Sequence, residues 1–451
     1  QMPIGYGKTY HQKAVNWMYM AEPSPEAGNR SSYWPRGKVL GGSSSINAMV
    51  YVRGNPKDFD DWHKAGNPGW SYSELLPYFK RMESWQNGGD NYRGGEGPLN
   101  VSDVSSQLHP LCQNFIAAGE EIGLSFNPDM NGEEQEGVGH YQITTHLGRR
   151  MSTSRAYLRP VMKRKNLTVI MKAQVTRILF KGNQAVGVEF KKNKIIQQVK
   201  ANREVILSAG AVNSPQLLLI SGVGPESVLM DAKVPIVHHN SEVGKNLQDH
   251  LGVSYFYKSK VPTLNDQLRP WWGKLLQGAR YILTRTGPLS LSVNQSGGFV
   301  RTRVGLKSPN IQLYFSPVSY SLEPPGRRAM LNPDPFSAVL LGVSNCKSNS
   351  RGQIRIKNDN PMEPPIIKPN YLSHKDDVRD LLDGVKLLRK LAQTKSFSKV
   401  IYDEFRSGSD CKSDSELIEY LIEYAWTVFH SSSTCILRQD PLIEDDARSL
   451  T

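Results

Sequence analysis

The sequence predicts a globular protein that mixes α-helices with antiparallel β-strands and divides into two or three domains. The chain has 451 residues, and a typical domain holds about 150. Its mean hydropathy is −0.46, and 38% hydrophobic with 22% charged residues is an ordinary globular composition. Between residues 166 and 208 short apolar runs alternate with turns, which is typical of an antiparallel meander.

Helices are predicted in the first third of the chain over residues 57–65, 73–83 and 108–123. The first 50 residues are rich in Gly, Pro and Ser and are predicted to be loop. Ser71 or Ser73 can cap the second helix. In the third helix, apolar residues recur at a spacing of three to four and Gly123 ends the helix. This apolar stripe consists of Leu111, Phe115, Ala118 and Ile122.

Strands are predicted in the middle of the chain over residues 167–171, 175–180, 185–190, 195–199 and 204–208. The last strand is followed by a glycine turn and a short helix with Pro215 near its first turn and Gly222 as its stop. Further along, residues 351–356 predict a strand and residues 376–393 an amphipathic helix. A final helix over 415–426 begins with a capping box of Ser413 and Glu416.

Charge and cysteine content exclude several classes of function. The net charge of +13 would suit an anionic partner, but it is scattered and accompanies no nucleic-acid-binding motif, so nucleic-acid binding is not expected. Apolar runs are shorter than the roughly 18 residues that cross a bilayer, so no membrane span is expected. The four cysteines show neither C-x-x-C nor zinc-site spacing, so no metal site is expected.

The run from Gly41 to Ser45 is the first motif with a chemical implication. Glycines let the backbone approach a ligand closely, and consecutive N–H groups and hydroxyls can surround an anion. Such a pentapeptide is also compatible with a flexible surface turn. Residues 34–38 before the run and residues 47–54 after it favour the ligand-binding reading. Together with the run they match one long sequence motif of a known protein family.

With that signature in view, the chain resembles the glucose–methanol–choline (GMC) family of flavin-dependent alcohol oxidoreductases, and specifically its animal and insect glucose dehydrogenase-like branch. The first family signature matches residues 37–58 and the second matches residues 210–224. Further likeness extends over nearly the whole chain, through residues 243–250, 350–352 and 364–371.

The resemblance implies an α/β FAD-binding domain of the dinucleotide type, here incomplete, joined to an α+β substrate domain with an antiparallel sheet. The implied division is 1–254 for the FAD-binding region without its first βαβ unit, 255–347 for a linking segment, and 348–451 for the substrate and catalytic region. The cofactor is expected to be FAD. Its implied contacts are Val39, Gly41, Gly42, Ser43, Ser44, Asn47, Ala48, Met49, Val50 and Val175.

The family chemistry transfers a hydride from an alcohol carbon to flavin N5 while a histidine takes the hydroxyl proton. A base with a pKa near neutrality is suited to this task, and the resemblance assigns it to His430. His250 is expected to be either structural or a support to the site residues, and it is not assigned to the site itself. The implied substrate is a small alcohol, sugar or sterol, the acceptor is oxygen or a quinone, and secretion is the location that the family favours.

Three departures from the family pattern lead to a second expectation. The sequence has no G-x-G-x-x-G fingerprint for the ADP half of FAD. Residues 430–434 read His-Ser-Ser-Ser-Thr where the family has His-Pro-x-Gly-Thr, which leaves the backbone other paths. The chain ends at Thr451, before the family's second active-site His or Asn. The chain is therefore expected to lack both ends and to be an inactive fragment, and the alternative is a non-catalytic homologue that binds a ligand or partner.

Overall fold

The structure is a computed structural model that describes residues 2–320, 332–406 and 410–436. The helices lie where the apolar periodicity predicts them, and Ser71 rather than Ser73 caps the second one through a capping box with Glu74. In the described residues, the α-helices of at least five residues are α1 Pro56–Lys64, α2 Tyr72–Met82, α3 Leu111–Glu121, α4 Gly210–Ile220, α5 Glu226–Asp231, α6 Leu264–Leu268, α7 Trp271–Thr284, α8 Lys375–Gln393 and α9 Asp414–Tyr424.

The strands include the predicted meander and several that the sequence did not indicate. Those used below are β1 Glu83–Trp85, β2 Leu99–Val101, β3 Gly137–His140, β4 Ala173–Lys181, β5 Gln184–Lys192, β6 Ile195–Lys200, β7 Leu251–Ser259, β8 Ser296–Val300, β9 Ile311–Ser316, β10 Ala338–Asn345, β11 Gln353–Arg355, β12 Ile366–Lys368, β13 Ile401–Glu404 and the two-residue β14 Trp426–Thr427.

Two predicted strands, over 167–171 and 204–208, are wrong. Both segments are irregular in the structure, and they leave Met171 and Ile206 exposed. A strand is stabilised by hydrogen bonds to a neighbouring strand, and within the described residues neither segment is paired in a sheet. The meander therefore consists of β4, β5 and β6 alone, paired antiparallel in sequence order.

A seven-stranded antiparallel sheet forms the centre of the described structure. Its order is β13, β7, β10, β9, β8 and β3, with β14 also paired to β7. The sheet takes strands from each of the three segments that the sequence divides at 254/255 and 347/348, and that division stays a prediction. The antiparallel substrate sheet that the resemblance implies is confirmed.

The main core lies between this sheet and the helices α3, α8 and α9. The apolar face of α8 packs on β10 and β9, and Gly384 brings the helix close enough that a Cβ there would lie 3.2 Å from Ile311 Cδ1. Phe115 of α3 stacks on Phe315 with ring centroids 5.3 Å apart. This packing fixes β7 and β14, and the turn that carries His430 follows β14 directly.

Candidate active site

The loop over residues 39–50, hereafter the 39–50 loop, folds back on itself through a short 3-10 turn at Gly42–Ser45. The Gly42 N–H donates to Val39 O at 2.8 Å. Gly41 has a φ of +88°, a conformation that strains L side chains, and a Cβ there would lie 2.7 Å from Ser45 Oγ. Glycine is therefore required at Gly41, and the run is an ordered turn.

The serines of this turn hold it together. Ser44 Oγ donates to Gly41 O at 2.5 Å, and Ser43 Oγ accepts from the Gly37 N–H at 3.2 Å. Val39 remains 40% exposed, and Ser43 and Asn47 are also exposed. The outer side of the loop thus offers an apolar side chain beside hydroxyl and amide groups.

A buried arginine anchors the far end of the loop. Arg150 Nη1 donates to Asn47 Oδ1 at 2.7 Å and to Ser44 O at 3.2 Å, and its Nη2 donates to Pro3 O at 3.0 Å. All three acceptors are neutral, and desolvation lowers the pKa of Arg150 to about 10. Arg150 is not among the site residues predicted from the sequence, because nothing in its local pattern indicates a contact with the loop.

The last residues of the loop turn inward. Met49 is buried, its φ is +67°, and both its backbone groups are bonded, the N–H to Asn47 Oδ1 and the C=O to the Thr144 N–H. Val50 forms a β-bridge with Ile143. Ala48 is half-buried against the cluster that contains Ile4. These residues therefore position the loop from within.

Val175 lies in the three-stranded sheet of β4, β5 and β6, and the 39–50 loop is not part of that sheet. It is a half-buried residue of β4 that faces Phe190 of β5. The same strand contacts α4, because the Ile178 N–H donates to Ser221 Oγ at 2.8 Å. Helix α4 begins the second signature, so Val175 is connected to the site through that helix.

His430 stands in a turn that is fastened to residues 248–250. The Val428 N–H donates to His250 O at 3.0 Å, and Ser432 and Gln248 exchange backbone hydrogen bonds of 2.9 and 3.1 Å. Ser433 adopts a φ of +66° at the position where the resembled motif has glycine. The turn is thus closed by its backbone hydrogen bonds without the glycine and proline of that motif.

His250 supports His430 directly, as a residue beside the base and not as the base itself. Its Nδ1 lies 3.2 Å from His430 Nδ1, and the two rings meet edge to face with centroids 5.2 Å apart. The residues are 180 positions apart in the chain, so no local pattern could have paired them. Since two ring nitrogens share one hydrogen bond, one of them carries the proton and the other accepts it.

Both histidines are held in the neutral form. Desolvation is the first cause that lowers the pKa of His430 to about 3, and the neighbouring His250 and Arg36 add to it. Burial lowers the pKa of His250 to about 4. His430 is exposed to solvent, although the atoms around its ring desolvate it. It is an unprotonated base at neutral pH, with a pKa below the near-neutral value expected from the sequence.

The buried side chain of Asp249 supports the turn that carries His430. Asp249 Oδ2 accepts hydrogen bonds from Tyr371 OH and Thr427 Oγ1, both at 2.5 Å. Desolvation raises the pKa of Asp249, although the hydroxyl donors and the charge of Arg36 oppose the rise. Because Asp249 binds Thr427 of β14 and precedes His250, it ties together the two segments that carry the histidines.

The residue just before the first signature and the start of the second signature both contact the His430 turn. Arg36, which precedes the first signature, donates from Nη2 to Ser431 Oγ. Thr434 Oγ1 donates to Ala211 O at 2.7 Å in the first turn of α4. Arg36, the start of the second signature and the histidine turn therefore form one cluster, and the 39–50 loop is bonded to the segment beside Arg36 through Ser43 and Gly37. A separate polar cleft of about 540 Å³, lined in part by Glu22 and Lys245, includes none of these site residues.

The match to known protein families accounts for the meeting of these segments at the His430 turn. Two family models, both described as GMC oxidoreductase, match residues 14–252 and 348–442. The chain belongs to the GMC oxidoreductase family. Two relatives of this GMC oxidoreductase are the mitochondrial choline dehydrogenase of Mus musculus, 40% identical over 99% of this chain and 74% of the relative, and an alcohol dehydrogenase (acceptor) of Pseudomonas putida, 39% identical over 98% and 79%.

Solved structures show the same fold. The pyridoxine 4-oxidase of Mesorbium loti superposes with a TM-score of 0.85 at 28% identity, covering 98% of this chain and 81% of that one. A formate oxidase of Aspergillus oryzae gives a TM-score of 0.86 at 22% identity, over 97% and 82%. The predicted FAD-binding fold with a substrate domain is thereby confirmed.

The family models and the relatives confirm some of the expectations from the sequence and leave others unsupported. Family membership, the fold and FAD as the cofactor of this GMC oxidoreductase are confirmed, and the protein is an enzyme that acts on alcohols. The curated relatives are choline and alcohol dehydrogenases. They support neither the glucose dehydrogenase-like branch nor the description of the chain as a fragment.

The residues of the cluster fit the flavin part of FAD. The 39–50 loop exposes the Val39 side chain, and open space beside Gly42, where a Cβ would meet nothing within 4 Å, suits close approach of a flat ring. His430 is exposed to solvent, so its ring is accessible to a bound molecule. The individual flavin contacts remain predictions. Among them Val39, Ser43 and Asn47 are exposed, whereas the buried Met49 acts within the loop.

Proposed function

We propose that this enzyme oxidises a small alcohol, with His430 taking the proton of the substrate hydroxyl. The convergence of Arg36, Ala211 and the His430 turn supports this assignment, since it puts a neutral, solvent-reachable imidazole between the two signature segments. A neutral imidazole accepts one proton as the hydroxyl becomes a carbonyl. Bound FAD would supply the two-electron acceptor for the hydride of the alcohol carbon, with oxygen or a quinone as the final acceptor.

His250 has a defined part in this proposal. The Nδ1 atoms of His250 and His430 share one hydrogen bond. When His250 donates that bond, Nδ1 of His430 is the acceptor and its Nε2 bears hydrogen, and the reverse holds when His430 donates. For Nε2 of His430 to accept the substrate proton, His430 must carry hydrogen on Nδ1 and donate to His250. We therefore assign His250 the role of selecting this tautomer.

The aromatic residues beside His430 favour choline among the alcohols that the relatives use. The rings of Phe429 and Trp426 lie 6.1 Å apart, and those of Tyr10 and Phe429 lie 5.6 Å apart. Aromatic faces bind quaternary ammonium groups through cation–π attraction. We expect Phe429→Leu to raise KM for choline about three- to thirtyfold while changing KM for an uncharged alkanol by less than about twofold. Equal changes for both substrates would reject choline as the favoured alcohol.

The base is tested by single-turnover kinetics on the purified full chain supplied with FAD. His430→Ala is expected to slow alcohol-dependent bleaching of the flavin absorption by about two to four orders of magnitude. His146→Ala, which changes an exposed histidine outside the cluster, serves as the matched control and is expected to react at the unchanged rate. An unaltered rate in His430→Ala would refute the assignment.

The acceptor and the alternative function are tested in the same preparation. Oxygen consumption coupled to alcohol oxidation identifies an oxidase, and reduction of a soluble quinone without oxygen uptake identifies a dehydrogenase. A chain that retains no flavin absorption after gel filtration with excess FAD would contradict the proposal. That result would favour the alternative of a non-catalytic homologue that binds a ligand or partner.

A further inference from the structure

Helix α7 packs on the protein with its less apolar side. The residues that face the protein are Gly273, Gln277 and Tyr281, and all three are buried. Its outward side chains are 56 to 82% exposed and are Trp271, Trp272, Leu275, Leu276, Ile282 and Leu283. A helix at the surface of a globular protein normally turns its apolar stripe to the core. The orientation of α7 is the reverse.

The helix is held firmly in this orientation. Tyr281 OH donates to Gly148 O at 3.1 Å. The backbone at Gly148 also approaches α7 closely, because a Cβ there would lie 1.9 Å from Arg285 O. Leu147, the preceding residue, is 76% exposed and extends the apolar surface beyond the end of the helix. The outward face is therefore a fixed feature of the fold.

Cationic side chains border the apolar face. At about 100° per residue, the six outward apolar residues occupy an arc of about 140°, and Lys274 and Arg280 flank the arc on opposite sides. The sequence contains no Asp or Glu from residue 267 to residue 322, whereas Arg269 and Arg285 adjoin the two ends of the helix. A wide apolar face with basic residues along its borders is typical of helices that lie in a membrane interface.

The length of the helix distinguishes binding at the surface from crossing. Helix α7 has 14 residues, and about 20 are needed to span a bilayer. In the part of the chain that the structure describes, no helix is long and apolar enough to cross a membrane. A helix of this length with two tryptophans at its start is suited to the headgroup boundary, where tryptophan is enriched.

We infer that α7 binds this enzyme to the surface of a lipid bilayer that contains anionic lipids. The apolar face enters the acyl boundary, and Lys274 and Arg280 meet the headgroups. A second copy of the chain is disfavoured as the occupant, since a symmetric contact brings the same cations together. The binding surface adjoins the short hairpin of residues 145–150, and Arg150 of this hairpin anchors the 39–50 loop through Asn47.

The inference is tested by flotation of the full chain with phosphatidylcholine vesicles, with and without phosphatidylglycerol. The unchanged chain is expected to float with the anionic vesicles and to be released by salt. The double variant Leu275→Gln and Leu276→Gln is expected to bind at least about tenfold more weakly. Replacing Lys274 and Arg280 by Gln is expected to remove the preference for anionic vesicles.

A matched control makes the same change elsewhere. Ile195 and Ile196 are 62% and 60% exposed on β6, so changing both to Gln alters surface hydrophobicity similarly and is expected to leave flotation unchanged. Failure of the unchanged chain to bind anionic vesicles would overturn the inference, as would equal binding by the α7 variant and the control. A vesicle-free dimer that the α7 variant dissociates would also overturn it. These readouts are independent of flavin and of alcohol oxidation.

Discussion

Glu83 pairs with two buried arginines, Arg53 of the first signature and Arg93. We predict that neutralising Glu83 destabilises the fold severely. Glu83 Oε1 accepts from Arg93 Nε at 2.8 Å, and its Oε2 pairs with Arg53. Arg93 also pairs with Asp129 at 2.7 Å. The side chains of Glu83 and Arg93 are fully buried. Removing one partner of a buried pair costs about 3–5 kcal/mol, because an uncompensated charge remains inside.

Thermal unfolding followed by circular dichroism measures this loss for Glu83→Gln. The entropy of unfolding is about 2.1 cal/mol/K per residue, so a chain of 451 residues loses about 1 °C of Tm per kcal/mol if it unfolds in one transition. We therefore expect the Tm to fall by about 3–5 °C. A smaller unfolding unit would give a larger shift.

The matched control is Glu136→Gln. Glu136 pairs with Arg301 at 2.7 Å, but both side chains are substantially exposed, and such surface pairs contribute about 0–1 kcal/mol. The control should change the Tm by less than about 1 °C. If the two variants shift the Tm equally, burial is not what gives the Glu83 network its strength, and the reasoning is refuted.

Two further predictions concern the site. Burial lowers the pKa of His250 to about 4 and that of His430 to about 3, so between these values and about 6.5 the unfolded chain binds more protons than the folded chain. The Tm should fall as the pH is lowered from about 6.5 towards 4, and His250→Asn should make the fall shallower. An equally steep fall in the variant and in the unchanged chain would contradict the lowered pKa of His250. Asn47→Ala removes an acceptor from the buried Arg150 and should lower the urea-derived free energy of unfolding by about 1.5–3 kcal/mol. A change below about 0.5 kcal/mol would show that this bond does not anchor the loop.

The local elements of the fold could be predicted because their stabilising interactions lie close in sequence. The apolar stripe of α8 and the capping box of α9 are complete within each segment. The hairpins of β4 to β6 are joined by short turns. The two wrong strands, over 167–171 and 204–208, have a suitable local pattern, but a strand also needs a neighbour and the pattern contains no information about one.

The site divides in the same way. The sequence by itself predicted the glycine turn at Gly41, which depends on residue type, and the family motif singled out His430 as the candidate base. Only the tertiary structure decided that His250 meets His430 and that Arg150 holds Asn47, because those contacts cross long stretches of chain. It alone turned the apolar face of α7 outward: periodicity shows that a helix has two unlike sides, and the surrounding packing determines which side is buried.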